Sequence, residues 1–387
     1  MNVGDLIAPY MGLQNGEKPV VDLAYKTSSG VTTFRLNETE IIFVRVDNVE
    51  ESLISVYFQI RSRQIEYTVH LVREDGEASE SLQATAAVAG FYNAKYFHEM
   101  VNFEKIDLSI GRYNDALKIE DEGKHYPLFI IQRCEGDIPP KYLLTVDQLS
   151  QVAAELSKLH AFCLPEVDAE AKQTLDENHD IIKAFRAEQF AADLESTLNA
   201  FTTKFAKFFS NAAKLPETIG ALYKSAQDVT YIKTLPKEVQ QPSVLCHGEL
   251  SADKIVFDEN GKLVEIREWD NVHYGSVAED LSFLIITSAP TDIRRNHYMS
   301  IFRQYYYPLV DRVSTKFKLS TLKESFKKMH KYAVLASMQS LLSALDSEIN
   351  DEEKAERAQR WESALEDALS FESDDYLSDN EDAFFSK

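Results

Sequence analysis

Apolar and polar positions alternate along the first fifth of the chain. Val31–Leu36, Glu40–Val46, Leu53–Ile60 and Ile65–Val72 are rich in Val, Ile, Phe, Tyr and Thr, and the joins between them are short and polar. That pattern predicts an antiparallel meander between Val20 and Arg73. The period then lengthens. Leu82, Ala86, Ala89, Tyr92, Ala94, Tyr96 and Phe97 predict a helix over Glu80–Val101 with one apolar side, in spite of Gly90. Ala116–Ile119 and Pro127–Gln132 return to strand, giving a small sheet with one helix packed on it. Arg133–Pro140, with Gly136 and Pro139-Pro140, reads as a connector. Thr145 then caps a helix, with Gln148 at the capping-box position and Val152, Leu156 and Leu159 behind it. Asp168–Lys233, Asn296–Val313 and Leu319–Leu345 are helical in pattern. They surround a short β segment: Val244-Leu245-Cys246, Val256-Phe257, the turn Asp258–Gly261 and an alternating strand Leu263–Glu268. A helix begins within Ala278–Ser288, and Asp346–Leu369 extends the chain as a charged helix carrying Trp361.

The periodicity divides the chain into an N-terminal segment, 1–18, a β-rich lobe, 19–133, a helical lobe, 134–345, and an acidic extension, 346–387, whose end, Phe371–Lys387, has the composition of a disordered tail. The fold class is therefore α+β with two lobes. A length of 387 residues and a hydrophobic content of 44% supply enough core for both. Net charge is −22, which argues against nucleic acid as a direct partner and against an acidic membrane surface. From Asp346 to Lys387 there are 15 acidic and 4 basic residues, so half of the excess sits in the extension. No apolar run approaches the roughly 18 residues of a membrane span, and Met1–Leu13 lacks the basic start of a secretory leader. Cys134, Cys163 and Cys246 form no Cys-x-x-Cys, so reduced thiols in a cytoplasmic or nuclear protein are expected.

The candidate chemistry lies in the β segment of the helical lobe. His247-Gly248-Glu249 follows an apolar strand, Lys254 stands five residues beyond the glutamate, and Glu268-Trp269-Asp270 closes the next hairpin. A phosphotransferase loop has this frame: His-x-Asp, an Asn five residues on, and a later Asp, with the last two holding magnesium on ATP. The layout is thus protein-kinase-like. The run VLCHGELSADKIV, DENGKL, REWDN and GSVAEDLSFLI resembles the choline-kinase-like (CHK-like) and ecdysteroid-kinase-like proteins, especially the nematode group, within the aminoglycoside-phosphotransferase-type fold. Phe129-Ile130-Ile131 is similar to the family's strand into the hinge between lobes, and Leu156–Ala161 to its AxLHA helix. The resemblance covers about Glu38 to Leu345 and is most specific from His247 to Leu281.

What the resemblance implies is an ATP- and Mg²⁺-dependent kinase acting on an alcohol hydroxyl of a choline-, steroid- or glucoside-like substrate. The residues at its chemical positions depart from that. Glu249 stands for the catalytic Asp, Lys254 for the metal-binding Asn and Glu268 for the metal-binding Asp. In the first lobe, register puts His70, or a neighbour, where the phosphate-gripping Lys belongs, and Val88 near the position of its Glu partner. No glycine occurs between Gly30 and Gly76, and the turn Asp47–Glu51 puts two glutamates where a phosphate-covering loop would run. A lysine cannot ligate a metal and repels it. Asp270 could serve as a metal ligand if the strand continued through Glu268, and Asp253 could replace the lost Asn if the loop rearranged. His247, Gly248 and Asp280 read as structural holders of the loop. The expectation is a pseudokinase-like protein with no competent catalytic residue and no bound cofactor, acting as a scaffold for protein partners. The acidic tail offers Ser378 in a Ser-x-x-Glu context and the apolar pairs Tyr376-Leu377 and Phe384-Phe385 as a candidate interaction motif.

Overall fold

The structure is a computed structural model that describes residues 21–26, 32–36, 39–49, 52–62, 65–72, 81–121, 124–134, 142–164, 169–226 and 231–372. The N-terminal segment 1–18, Glu50-Glu51, the Gly136–Pro140 connector, Ser378 and the apolar pairs of the tail lie outside the described residues.

Seven strands form one antiparallel sheet in the order β1-β2-β3-β4-β5-β7-β6. They are β1 (Val21–Lys26), β2 (Thr32–Leu36), β3 (Thr39–Val49), β4 (Ser52–Ser62), β5 (Ile65–Val72), β6 (Arg112–Asp121) and β7 (Lys124–Gln132). The four strands expected up to Val72 are present, and β1 precedes them. Asp47–Val49, expected in a turn, continues β3, with Val49 opposite Ser52. Helix α1 (Leu82–Glu104) packs on this sheet, capped by Ser81, whose hydroxyl accepts from the Ala84 N–H. Phe91 and Ala94 of α1 bury against Val72, Phe129 and Ile131. Tyr92, expected on the apolar side, is 37% exposed, because Phe91 takes the inward position beside it.

The second lobe is helical. It contains α2 (Val146–Cys163), α3 (Ala169–Thr202), α4 (Leu215–Ala226), α5 (Tyr231–Glu238), α6 (Glu279–Ser288), α7 (Thr291–Asn296), α8 (Tyr298–Arg312), α9 (Leu319–Ala336), α10 (Met338–Asp346) and α11 (Asp351–Glu372). The Thr145–Gln148 capping box at the start of α2 forms in both directions. Two β ladders sit inside: β9 (Ile255–Phe257) with β10 (Leu263–Ile266), and β8 (Ser243–Cys246) with β11 (His273–Ser276). The last strand was not legible, because His273–Ser276 is buried on both faces and shows no alternation. β10 stops at Ile266 instead of running to Glu268, because Glu268 adopts a left-handed backbone with φ 63°. The alternation that would have placed Asp270 on the face of Ile266 is thereby broken.

Two apolar cores fill this lobe. One gathers α2, β8, β11, α6 and α8 around Leu245, Leu281 and Phe302. The other joins the end of α3 to α9, α10 and α11 around Phe201, Phe209 and Trp361. Helix α11 is built into the lobe. The Trp361 indole N–H donates to the Val334 carbonyl at 3.0 Å, and Arg294 pairs with Asp367 at 2.9 Å, both buried. It continues past Leu369, and Phe371 sets its ring edge-on to His330 at 4.9 Å.

Candidate active site

Gly248 turns the chain out of β8 with φ 86°. A side chain there would put its Cβ 2.6 Å from the Asn271 carbonyl oxygen, so only glycine fits. The turn is held from below. Asp280, at the start of α6, accepts the His247 N–H at 2.8 Å on one oxygen and the Gly248 N–H at 3.0 Å on the other. Burial, reinforced by the neighbouring Glu279 carboxylate, pushes the Asp280 carboxyl up to about 7. His247 is fully buried, and burial together with the Lys254 charge lowers it to about 3, so the ring is neutral. Its partners assign the tautomer: Nε2–H donates to the Arg267 carbonyl at 2.8 Å, and Nδ1 faces the Glu249 N–H at 3.4 Å. The His247 ring and the Asp280 carboxylate thus each bond backbone of this segment, and Gly248 permits the turn. Trp269 lies against His247 and stacks on Phe97 at 3.9 Å, tying the loop to α1.

Glu249, Lys254 and Glu268 converge above this base. Lys254, on the single turn Ala252–Lys254, points its ammonium between two carboxylates, 3.2 Å from Glu249 Oε2 and 3.9 Å from Glu268 Oε2. Arg186 of α3 donates to the same Glu249 oxygen at 2.8 Å, and the Asn271 amide does so at 3.0 Å. Burial opposes ionisation of Glu249, but the Arg186 and Lys254 charges outweigh it and hold the carboxyl far below the usual range. Burial likewise opposes the charge on Lys254, and Glu249, Glu268 and Asp253 overcome it, so its ammonium is held above the usual lysine range. A divalent cation held by Glu249 and Glu268 would need the space that Lys254 fills. The donor set as arranged carries its own cation and does not fit a metal.

The first lobe contributes His70 and Val88 to this region. His70 of β5 is buried, wedged edge-on between Phe91 and Phe129, and its Nδ1 lies 3.7 Å from Asp270 Oδ1. Val88 packs beside Val72 and Phe91. Asp270 thus faces the first lobe, and the Cβ of a residue replacing Gly90 would lie 3.4 Å from the Asp270 Cβ. Asp253 stays at the loop surface, accepting the Ser251 hydroxyl at 2.5 Å. A strut missed in the sequence joins the lobes: Glu265 of β10 is fully buried and accepts Arg133 at 2.7 Å and Arg267 at 3.3 Å, while Arg133 also donates to Thr68 at 2.7 Å.

Glu249, Lys254 and Glu268 open onto a cavity of about 560 Å³ bounded by Tyr142, Arg357 and Trp361. A second compartment of about 430 Å³ adjoins it, and Arg186, Glu249 and Phe283 line both. Arg186, Asn271 and Arg357 were not singled out from the sequence, where Arg186 is one charge among many on a long amphipathic helix. Elsewhere among the described residues, ligand-type atoms of His160, Cys246 and Asp280 cluster within 4.8 Å in the buried core. There His160 Nδ1 bonds the Tyr305 hydroxyl at 2.7 Å, and burial pushes the Cys246 thiol well up.

Residues 136–371 match the DUF1679 family, described as "Uncharacterized oxidoreductase dhs-27", and the chain belongs to that family. The Caenorhabditis elegans protein of that name is 24% identical over 204 residues, covering 48% of this chain and 23% of that protein. The chain thus spans about a quarter of the curated relative it matches. Among solved structures, spectinomycin phosphotransferase in complex with ADP and spectinomycin aligns over 86% of this chain and 93% of its own, at 14% identity and a TM-score of 0.47. The choline kinase LicA from Streptococcus pneumoniae aligns over 85% and 94%, at 13% identity and a TM-score of 0.40. Among the described residues no helix is long and apolar enough to cross a membrane.

Proposed function

We propose that this member of the DUF1679 family is a kinase-like protein that keeps the frame of a phosphotransferase without its metal-dependent chemistry, and that it works as a binding or scaffolding module for other proteins. One observation carries the reading: the Lys254 ammonium sits between Glu249 and Glu268, in the space a magnesium ion would need. Two others support it. Glu249 accepts three donors on one oxygen and is held strongly ionised, which makes it a poor base for an alcohol proton. His70, the expected replacement for the phosphate-gripping Lys, is buried between two phenylalanines with its Nδ1 toward Asp270. The oxidoreductase in the relative's name belongs to a protein of which only 23% is matched. The present chain has no Gly-x-Gly pair among its 13 glycines, and the larger sheet is antiparallel throughout, unlike a doubly wound dinucleotide-binding sheet.

A thermal-shift series with ATP, with and without Mg²⁺, tests the reading. The expected result is no Mg²⁺-dependent stabilisation; a clear one, reversed by Glu268→Ala, would sink it. A second reading, an active small-molecule kinase phosphorylating an alcohol, is favoured by one feature: Glu249 remains a carboxylate at the mouth of two connected cavities. Phosphorylated product from a metabolite mixture, lost in Glu249→Ala, would establish it.

A further inference from the structure

The second compartment contains a charge that the frame does not use. Lys183 of α3 is about nine-tenths buried, with 9% of its surface exposed, and it lines this cavity. Among the described residues its ammonium makes no hydrogen bond or ion pair, and it lies over the face of Tyr332, 5.5 Å from the ring centre. Glu279 and Glu249 act on it only through longer-range attraction, and burial, the largest effect on it, lowers its pKa. The stem of Lys183 is buried while its ammonium opens onto the cavity, where a bound acid group could meet it. Lysines at such positions are ordinarily paired.

The walls around Lys183 are mixed: an aromatic and aliphatic part, and a polar part with Gln189, Gln339 and Ser340. Phe190 of α3 and Tyr223 of α4 set their rings 4.9 Å apart at one side, and Phe283, Tyr332 and Leu335 close the other. The volume of about 430 Å³ is that of a small-molecule site. Arg186, at the boundary with the first compartment, adds a second cation whose recorded bond is to Glu249. The exposed Asp193 and the already occupied Glu249 are the acids on the lining. Lys183 and Arg186 give this compartment a cationic end within an acidic chain, which locally favours an acid group over a cation.

We propose that the compartment between α3, α4 and α9 binds a small organic anion with an apolar body, its acid group meeting Lys183 and its body lying among Phe190, Tyr223, Phe283 and Tyr332. The proposal deepens the binding-module reading and rests on it, in that the cleft holds this ligand without transferring phosphate to it.

Calorimetric titration of the full chain with a ten-carbon series tests it, each probe kept below its micelle concentration: decanoate, decyl phosphate, decanol and decyltrimethylammonium. A charge-assisted hydrogen bond to a buried cation predicts that at least one anion binds about ten- to a hundred-fold more tightly than decanol, with the cation weakest. Decanoate against decyl phosphate identifies the head group. Lys183→Met, which keeps the stem and removes the charge, should bring the anion down to the affinity of decanol, and Lys183→Arg should preserve the preference. Equal binding of decanol and both anions, or preference for the cation, overturns the proposal with the unmodified protein alone, so it stays testable if Lys183→Met does not fold. An anion preference unchanged in a folded Lys183→Met also overturns it. ADP release from Mg-ATP, measured in the same samples, separates the two claims. Turnover would overturn the catalytically defective reading, whereas absent turnover with no anion preference would overturn the anion site.

Discussion

Lys254→Asn is the most informative single change in the cleft. It removes the cation between Glu249 and Glu268 and supplies a neutral amide oxygen in its place. A divalent ion drawn to those two carboxylates in the native protein would have to displace the ammonium, and if the ammonium retreated only to about 4 Å it would still repel the ion. Unit charges at that distance interact by about 4 kcal/mol at an effective dielectric of about 20, so the repulsion of a dication is about 8 kcal/mol. If Lys254 swings away and only a third of that remains, about 3 kcal/mol, affinity for Mg²⁺ or Mn²⁺ rises about a hundredfold in the variant. Titration calorimetry with MnCl₂ and melting curves with and without Mg²⁺ measure this. The double variant Lys254→Asn, Glu268→Ala serves as the control that should lose the gain. A folded Lys254→Asn that responds to metal no more than the native protein would refute the view that Lys254 takes the metal's place.

The same change has a stability cost with a defined pH window. Glu249 is depressed from its ordinary 4.5, so the stability it contributes is present above that pH and is lost as pH falls toward its folded value. Lys254 is raised from 10.5, so its contribution is present below that pH and is lost as pH rises through its folded value. The difference in stability between native protein and variant should therefore be flat between about 4.5 and 10.5 and shrink outside that range. Because Arg186 and Asn271 still hold Glu249, the plateau should be modest, about 1 kcal/mol.

Three further changes probe the frame. Glu265→Ala leaves Arg133 and Arg267 without their buried acid and should cost about 3 kcal/mol in denaturant unfolding; a loss under about 1 kcal/mol would contradict its role as the strut between lobes. Asp280 titrates near 7 when folded, against 3.8 for its ordinary value, so the folded chain keeps a proton that the unfolded chain releases. Its contribution should fall as pH rises from about 4 to about 7 and then level off, and Asp280→Asn should flatten that slope in melting temperatures taken across pH 4–8. Gly248→Ala forces both a left-handed backbone and a 2.6 Å approach to the Asn271 carbonyl, and should lower the melting temperature by more than any substitution at the exposed Phe103.

What could be read in the sequence was whatever repeats locally. The meander up to Val72, the Thr145–Gln148 box and the hairpin around Asp258–Gly261 each rest on residues close in the chain, and each formed. The boundary of β10 could not be read, because alternation continues through Glu268 in the sequence while the backbone turns left-handed there. Arg186, Asn271 and Glu265 could not be read either. Arg186 meets Glu249 across 63 positions and Arg133 meets Glu265 across 132, and no local pattern distinguishes these charges from the solvated ones beside them. His70 shows the limit in reverse. Its place on a strand was legible, yet its burial against the phenylalanines depended on α1, which brings Phe91 to within 4.9 Å.

Frame and chemistry can part company here because different atoms carry them. The turn at His247–Gly248 is fixed by backbone N–H groups on Asp280, by a carbonyl on His247 and by the Trp269–Phe97 stack, all buried. Loss of any one leaves an unpaired polar group or a void in the core, at a cost of about 1–5 kcal/mol each. The residues that would do chemistry point the other way, into the cleft, where Glu249 and Glu268 remain partly open to solvent at 29% and 47% exposure. Substitution there costs the fold little, and a lysine between two acids even stabilises it. Cleft residues can therefore change at little cost to the fold while the turn beneath them stays fixed. The sequence at Glu249, Lys254 and Glu268 then reports on chemistry, and the sequence at Gly248, Trp269 and Asp280 reports on folding.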